Sequence, residues 1–209
     1  MENRKLLLEA CVETLEDAIK AQECGADRIE LCADLSVGGL TPSLELVGSC
    51  LANLHIPVMA MVRPRAGDFV YSPAEFEAMK RTVDAFKSVG VAGVVFGILD
   101  EKNEVQLAQT QELAALAKPL LVTFHKAIDE CPDPAKSLEQ IMQVADIQRV
   151  LTSGGADSAM LGAEKLKEML ELANGRITIL AAGKITKINL AEVHDKIGAS
   201  EYHGRRIVF

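Results

Sequence analysis

Short apolar runs of strand length alternate with longer amphipathic runs along all 209 residues of this chain, and that alternation limits the folds open to it. Residues 5–12 form the first apolar run. Residues 14–24 follow with Leu15, Ala18 and Ile19 at helical spacing and Gly25 as a stop. Further strand candidates are 28–32, 57–63, 93–99, 120–126, 149–154, 177–183 and 201–204. The helices between them carry their own start signals. Thr41-Pro42 places a cap and a first-turn proline, Ser72-Pro73-Ala74-Glu75 reads as a capping box, and Asp133-Pro134 opens another helix.

Strand and helix in strict alternation imply a parallel sheet with right-handed crossovers. An open doubly wound sheet and a closed (β/α)₈ TIM barrel both satisfy that rule. Eight strand candidates favour closure, because a barrel leaves no edge unpaired. The turn after the first strand, Cys11-Val12-Glu13-Thr14, also lacks the glycine pattern of a dinucleotide-binding sheet. The expected architecture is one TIM-barrel domain over residues 1–209.

In a parallel barrel the chemistry sits at the C-terminal strand ends, and polar residues gather there. Side chains two apart share a strand face. Glu9/Cys11, Glu30/Cys32, Thr123/His125 and Glu201/His203 therefore each share a face, and apolar Leu31 and Phe124 suit the other one. With Arg63, the inward face would hold carboxylates, imidazoles, thiols and a guanidinium, a density that is costly unless the groups pair. Glu9, Glu30, Arg63, His125, Glu201 and His203 are accordingly expected to converge on one pocket as acid–base and orienting groups. The loops after strands six and seven carry Ser153-Gly154-Gly155 and Gly183-Lys184, whose backbone N–H groups suit an anion. Thr152, Gly154, Gly155 and Gly183, with Arg65 and Asp68 after strand three, make up the candidate substrate-binding set.

Composition excludes several function classes. Thirty acidic residues against 22 basic ones give a net charge of −8, and aromatic residues are 4% with no Trp, so neither a basic face nor a base-stacking surface for nucleic acid is expected. No apolar run reaches the ~18–20 residues that span a bilayer, and Leu6–Leu8 is too short for the ~7–15-residue core of a signal peptide. The five cysteines, an odd number without a Cys-x-x-Cys, are then expected to stay reduced in the cytoplasm. Cys24, Cys50 and Cys131 read as bystanders, and His55 and His194 as surface residues.

Several blocks together resemble the CutC copper homeostasis family. They are Gly25-Ala26-Asp27-Arg28-Ile29-Glu30-Leu31-Cys32, Gly38-Gly39-Leu40-Thr41-Pro42-Ser43 and Arg63-Pro64-Arg65-Ala66-Gly67-Asp68-Phe69, then Gly93-Val94-Val95-Phe96-Gly97, Phe124-His125-Lys126-Ala127, Leu151-Thr152-Ser153-Gly154-Gly155 and Glu201-Tyr202-His203-Gly204. The resemblance implies a TIM barrel, a cytoplasmic location and a link to copper. Copper(I) is soft and prefers thiolates, and Cys11 and Cys32 end adjacent strands on one face, so these two are the expected metal ligands. The alternative is an enzyme in which Glu and His act as acid and base while Arg63 orients a small polar or anionic metabolite.

Only five residues follow Gly204, too few for the outer helix that covers a barrel strand. An apolar strip between the first and seventh helices is expected to stay open unless Ile207, Val208 and Phe209 fold back. Such a strip predicts a homo-oligomer, with a two-fold dimer as the first expectation.

Overall fold

The computed structural model describes residues 5–209. Eight parallel strands close in sequence order into a barrel. They are β1 (Leu7–Val12), β2 (Arg28–Leu31), β3 (Val58–Met61), β4 (Gly93–Phe96), β5 (Leu121–Phe124), β6 (Arg149–Thr152), β7 (Thr178–Ala181) and β8 (Glu201–Gly204). Between them run α1 (Leu15–Glu23), α2 (Leu44–Asn53), α3 (Pro73–Val89), α4 (Leu107–Ala117), α5 (Pro134–Ile141), α6 (Ala163–Ala173) and α7 (Leu190–Ile197). Residues 35–37 and 126–130 add two 3₁₀ turns at the C-terminal mouth.

Local chemistry sets the helix starts. Thr14 accepts the Asp17 N–H at 3.1 Å to cap α1, and the Ser72–Glu75 capping box opens α3. At α2 the cap is Ser43 rather than Thr41. Thr41 instead exchanges two hydrogen bonds with the Arg63 backbone, its hydroxyl accepting from Arg63 N–H at 2.9 Å and donating to Arg63 C=O at 3.0 Å. A tertiary partner thus removes a residue that local pattern assigns to a helix.

The main core lies between sheet and helices, where Leu31, Val94, Phe124 and Tyr202 face outward. The barrel interior holds two small apolar patches, Met59, Met61 and Val95 beside Cys11 and Cys32, and Leu151 with Leu180 and Ala182. Its remaining space is filled by charged groups. Cys50 faces the main core from within α2. His194 is half-buried, not a surface residue, because its Nδ1 lies 2.8 Å from the Tyr202 hydroxyl on the outer side of β8.

The chain after β8 folds back. Ile207 and Val208 are buried, Lys187 N–H donates to Arg206 C=O at 2.9 Å, and Phe209 lies under Lys20 of α1. The tail therefore covers the strip expected to remain open between the first and last helices, and with it goes the physical ground for placing a dimer interface there. No helix among the described residues is long and apolar enough to cross a membrane.

Candidate functional site

Strand register decides which polar side chains meet. Glu9 stands opposite Arg28 on β2 and opposite His203 on β8, while Glu201 lies level with Leu7, two residues lower in the barrel. Arg28 Nε donates to Glu9, and its Nη2 donates to Glu201 at 2.8 Å. Arg149 Nε reaches the same Glu201 oxygen at 2.9 Å. The partner of Glu9 is thus Arg28, and Glu201 belongs to the barrel floor, away from the mouth. Neither Arg28 nor Arg149 was among the expected site residues. Arg28 carries a signal that could have found it, since it precedes Glu30 by two and so shares its inward face. Burial pushes the Glu9 carboxyl up, but the His203 hydrogen bond and the Arg28 charge overrule it and hold its pKa at about 2.

Above this floor, Cys11 Sγ donates to Glu30 Oε2 at 3.2 Å. One ligand atom from each of Cys11, Glu30 and Cys32 lies within 4.8 Å of the others. The adjacent Cys32 thiol, burial and the Glu30 charge all push Cys11 well above its ordinary value. Cys11 pulls Cys32 down, yet burial and Glu30 outweigh it and Cys32 stands at about 11. Burial raises Glu30. His203 closes the cluster, its Nδ1 2.8 Å from Glu9 and its Nε2 3.6 Å from Glu30. Burial alone would depress His203; the surrounding Glu30, Cys11 and Glu9 raise it well above its usual value.

Arg63 and His125 stand apart from both groups. Arg63 donates only to the backbone carbonyls of Val37, Gly39 and Gly67. The loop supplying two of these needs positive φ at Gly38 (+92°) and Gly39 (+90°), which glycine adopts without strain. His125 sits over Gly97, where a Cβ would lie 2.4 Å from its Nδ1. Burial and the Arg63 charge drive His125 down to about 3, so its ring is neutral. Of the six residues expected to share one pocket, Glu9, Glu30, Glu201 and His203 are joined through His203 and Arg28, while Arg63 and His125 lie elsewhere on the inward face. Strand alternation assigns the face, while height along the axis depends on stagger between strands.

The loop after β6 also departs from expectation. Asp129 accepts the backbone N–H of Ser153 at 3.0 Å and of Gly155 at 2.8 Å, together with the Thr152 hydroxyl and Lys126. The Gly154 N–H goes to Thr152 Oγ1 at 2.9 Å. The Ser153 and Gly155 donors expected to receive a substrate anion are already filled by an internal carboxylate, and that of Gly154 by a hydroxyl. Gly183 serves close packing, since a Cβ there would come within 2.8 Å of Ser153 Cβ. Arg65 is paired with Asp68 at 2.8 Å and Glu75 at 2.6 Å.

A cleft of about 1550 Å³ opens at the C-terminal mouth. Cys11, Arg63, Phe69, Lys126, Asp129 and His203 are among its lining residues. Cys11 is thus the face that the thiol cluster presents to the cleft, with Cys32 fully buried behind it.

The profile of the CutC family matches residues 6–208. The human copper homeostasis protein cutC homolog is 43% identical over 197 residues, covering 94% of this chain and 72% of its own. A CutC family protein of Mesorhizobium japonicum is 44% identical over 202 residues, 97% of this chain and 78% of its own. The solved structure of a CutC protein from Streptococcus agalactiae superposes with a TM-score of 0.91 at 31% identity, covering 97% of this chain and 99% of that one. Deoxyribose phosphate aldolase of Aeropyrum pernix, at 15% identity and a TM-score of 0.68 over 96% of this chain and 86% of its own, shares the fold alone.

Proposed function

The chain belongs to the CutC family, and from that premise we propose that it handles copper as Cu(I) in the cytoplasm, the ion held by the thiolates of Cys11 and Cys32. The observation that carries this reading is the buried Cys11–Glu30–Cys32 cluster at the foot of the cleft. Two sulfurs and one carboxylate within reach of each other form a donor set that suits a soft monovalent ion better than a hard one. Thiols must lose their protons to bind a metal. Glu30 Oε2 already accepts the Cys11 S–H and is the base within reach. His203, cationic beside Glu30 and Glu9, offsets the negative charge that two thiolates and Cu(I) leave behind. All five cysteines are free, as a reduced compartment requires.

Anaerobic Cu(I) titration against a chromophoric competitor tests the reading. The expected result is one ion per chain and an affinity at least about 100-fold weaker in the Cys11→Ser, Cys32→Ser double variant. Equal affinity in that variant would remove these thiols from copper handling.

The cleft itself favours a second reading. Its volume exceeds the roughly 300–1,000 Å³ of ordinary small-molecule sites and is far larger than an ion needs. An enzyme acting on a small polar or anionic metabolite would find His203 and Arg63 on its walls, with Glu9 and Glu30 behind His203. Mass spectrometry of metabolite pools incubated with the purified protein separates the two readings: selective depletion of one compound supports an enzyme.

A further inference from the structure

Cys32 is fully buried, and one loop lies between it and the cleft. Residues 33–40 leave β2, pass through the first 3₁₀ turn and return, with the Ala33 and Leu40 backbones bonded to each other at 2.8 and 2.6 Å. Leu35 of this loop packs on the thiol cluster. Gly39 is buried against Cys32, where an added Cβ would stand 3.0 Å from the sulfur. The other side of the loop faces open space, since Leu35, Val37 and Gly38 line the cleft.

Little apolar packing holds this loop. Leu35 is half-buried, while Ser36, Val37 and Gly38 are exposed. Polar side chains from other strand ends hold it instead. Glu13 Oε2 accepts the Leu35 N–H at 2.7 Å, and Arg63 Nη1 donates to the Val37 and Gly39 carbonyls at 3.0 and 3.2 Å. Arg63 is fixed in turn by the Gly67 carbonyl at 2.8 Å and by the Phe69 ring 4.8 Å from its guanidinium carbon, with the Tyr71 hydroxyl beside it. A segment with few buried apolar contacts and polar anchors opens far more readily than the core around it. A buried cation that meets no carboxylate is costly, and a loop fixed permanently in place needs none.

We propose that residues 33–40 form a lid over Cys32 and that Arg63 is the positioning residue that holds it shut. The hydrogen bonds from Arg63 to Val37 and Gly39 let go to admit an ion behind Cys11, and re-form over it. Their directionality returns the loop to one closed position. A lid acts on entry and exit alike, so loosening it speeds exchange and leaves affinity nearly unchanged. What passes beneath the lid rests on the copper reading above; the lid itself is tested without metal.

Alkylation of the metal-free protein by N-ethylmaleimide, read cysteine by cysteine by mass spectrometry, measures the lid directly. A Cys11→Ser background lets Cys32 report alone. Exposed Cys24 marks the unprotected rate, and Cys50, buried in the main core, marks global opening. Cys32 is expected to react at least about 100-fold more slowly than Cys24, and its rate to stay flat in low denaturant while that of Cys50 climbs. Arg63→Lys keeps the charge but loses the fork, and is expected to raise the Cys32 rate at least about tenfold relative to Cys50. Gly39→Ala, which places a side chain against Cys32 at a φ of +90°, is expected to do the same. Cys32 labelled as fast as Cys24, or only in step with Cys50, would overturn the lid, and that comparison decides even if a loop variant fails to fold. With both thiols restored, Cu(I) release to excess chelator is expected to be at least about fivefold faster in Arg63→Lys, with affinity within about threefold of the parent. Unchanged release beside faster labelling would overturn the gate. No Cu(I) binding by the parent chain would overturn the copper reading alone, and the labelling still decides the lid.

Discussion

Arg28 and Arg63 are buried to nearly the same depth in one barrel, 3% and 5% exposed, and their surroundings differ in kind. In the sector formed by β8, β1 and β2, Arg28 lies between Glu9 and Glu201, and Arg149 and His203 complete a network in which each charge has an opposite within reach. In the sector of β3, β4 and β5, Arg63 has three carbonyls and His125 has one backbone N–H. Low dielectric makes both arrangements consequential. A network in which every charge meets an opposite one fixes strand positions, even though Arg149 Nη1 and Glu30 Oε1 stay without a hydrogen-bond partner within it. An open one leaves Arg63 solvated by carbonyl dipoles alone, with no carboxylate to cancel its charge.

The comparison breaks most visibly if the two arginines prove energetically alike. Arg28→Met takes from Glu9 and Glu201 the buried cation they share, leaving them His203 and Arg149 alone, and is expected to destabilise the fold by about 3–5 kcal/mol in denaturant unfolding. Arg63→Met leaves carbonyls unpaired but strands no charge, and about 1–3 kcal/mol is expected. Equal losses would make Arg63 as structural as Arg28.

A smaller effect appears in pH dependence. His125 is held at about 3 in the fold by burial and the Arg63 charge, against an ordinary value of 6.5. Between those values the unfolded chain binds the extra proton, so its burial as a neutral ring favours unfolding as pH falls through that window. The slope cannot exceed about 1.4 kcal/mol per pH unit for one proton. His125→Gln is expected to flatten the stability profile between pH 6 and pH 4, and an unchanged slope would place the titration elsewhere. The smallest effect concerns the link between the sectors' loops. Thr41→Val removes both side-chain hydrogen bonds to the Arg63 backbone and is expected to cost about 1 kcal/mol. A melt indistinguishable from the parent protein would show that Arg63 is positioned without it.

The strand face of each polar residue was legible residue by residue. Strand alternation put Glu9, Cys11, Glu30, Cys32, His125 and His203 on the inward face, and the family blocks marked the loops around them. Partners were not legible, because an ion pair inside a barrel joins strands that are distant in sequence. Glu201 and Arg28 are 173 residues apart, and only register and tilt bring them to 2.8 Å. The same reason explains Asp129: a glycine-rich turn signals an anion, but local sequence does not say whether that anion belongs to the chain or to a ligand.

By itself the sequence determined the βα alternation, the closed eight-stranded class and the inward set of polar side chains, because periodicity and capping are local properties set by backbone geometry. The tertiary structure alone decided which charges were neutralised, where the thiols met a base and which donors stayed open. Those outcomes depend on the stagger between strands and on loop carbonyls arriving from other units, and each is a distance of a few ångströms that no spacing along the chain encodes.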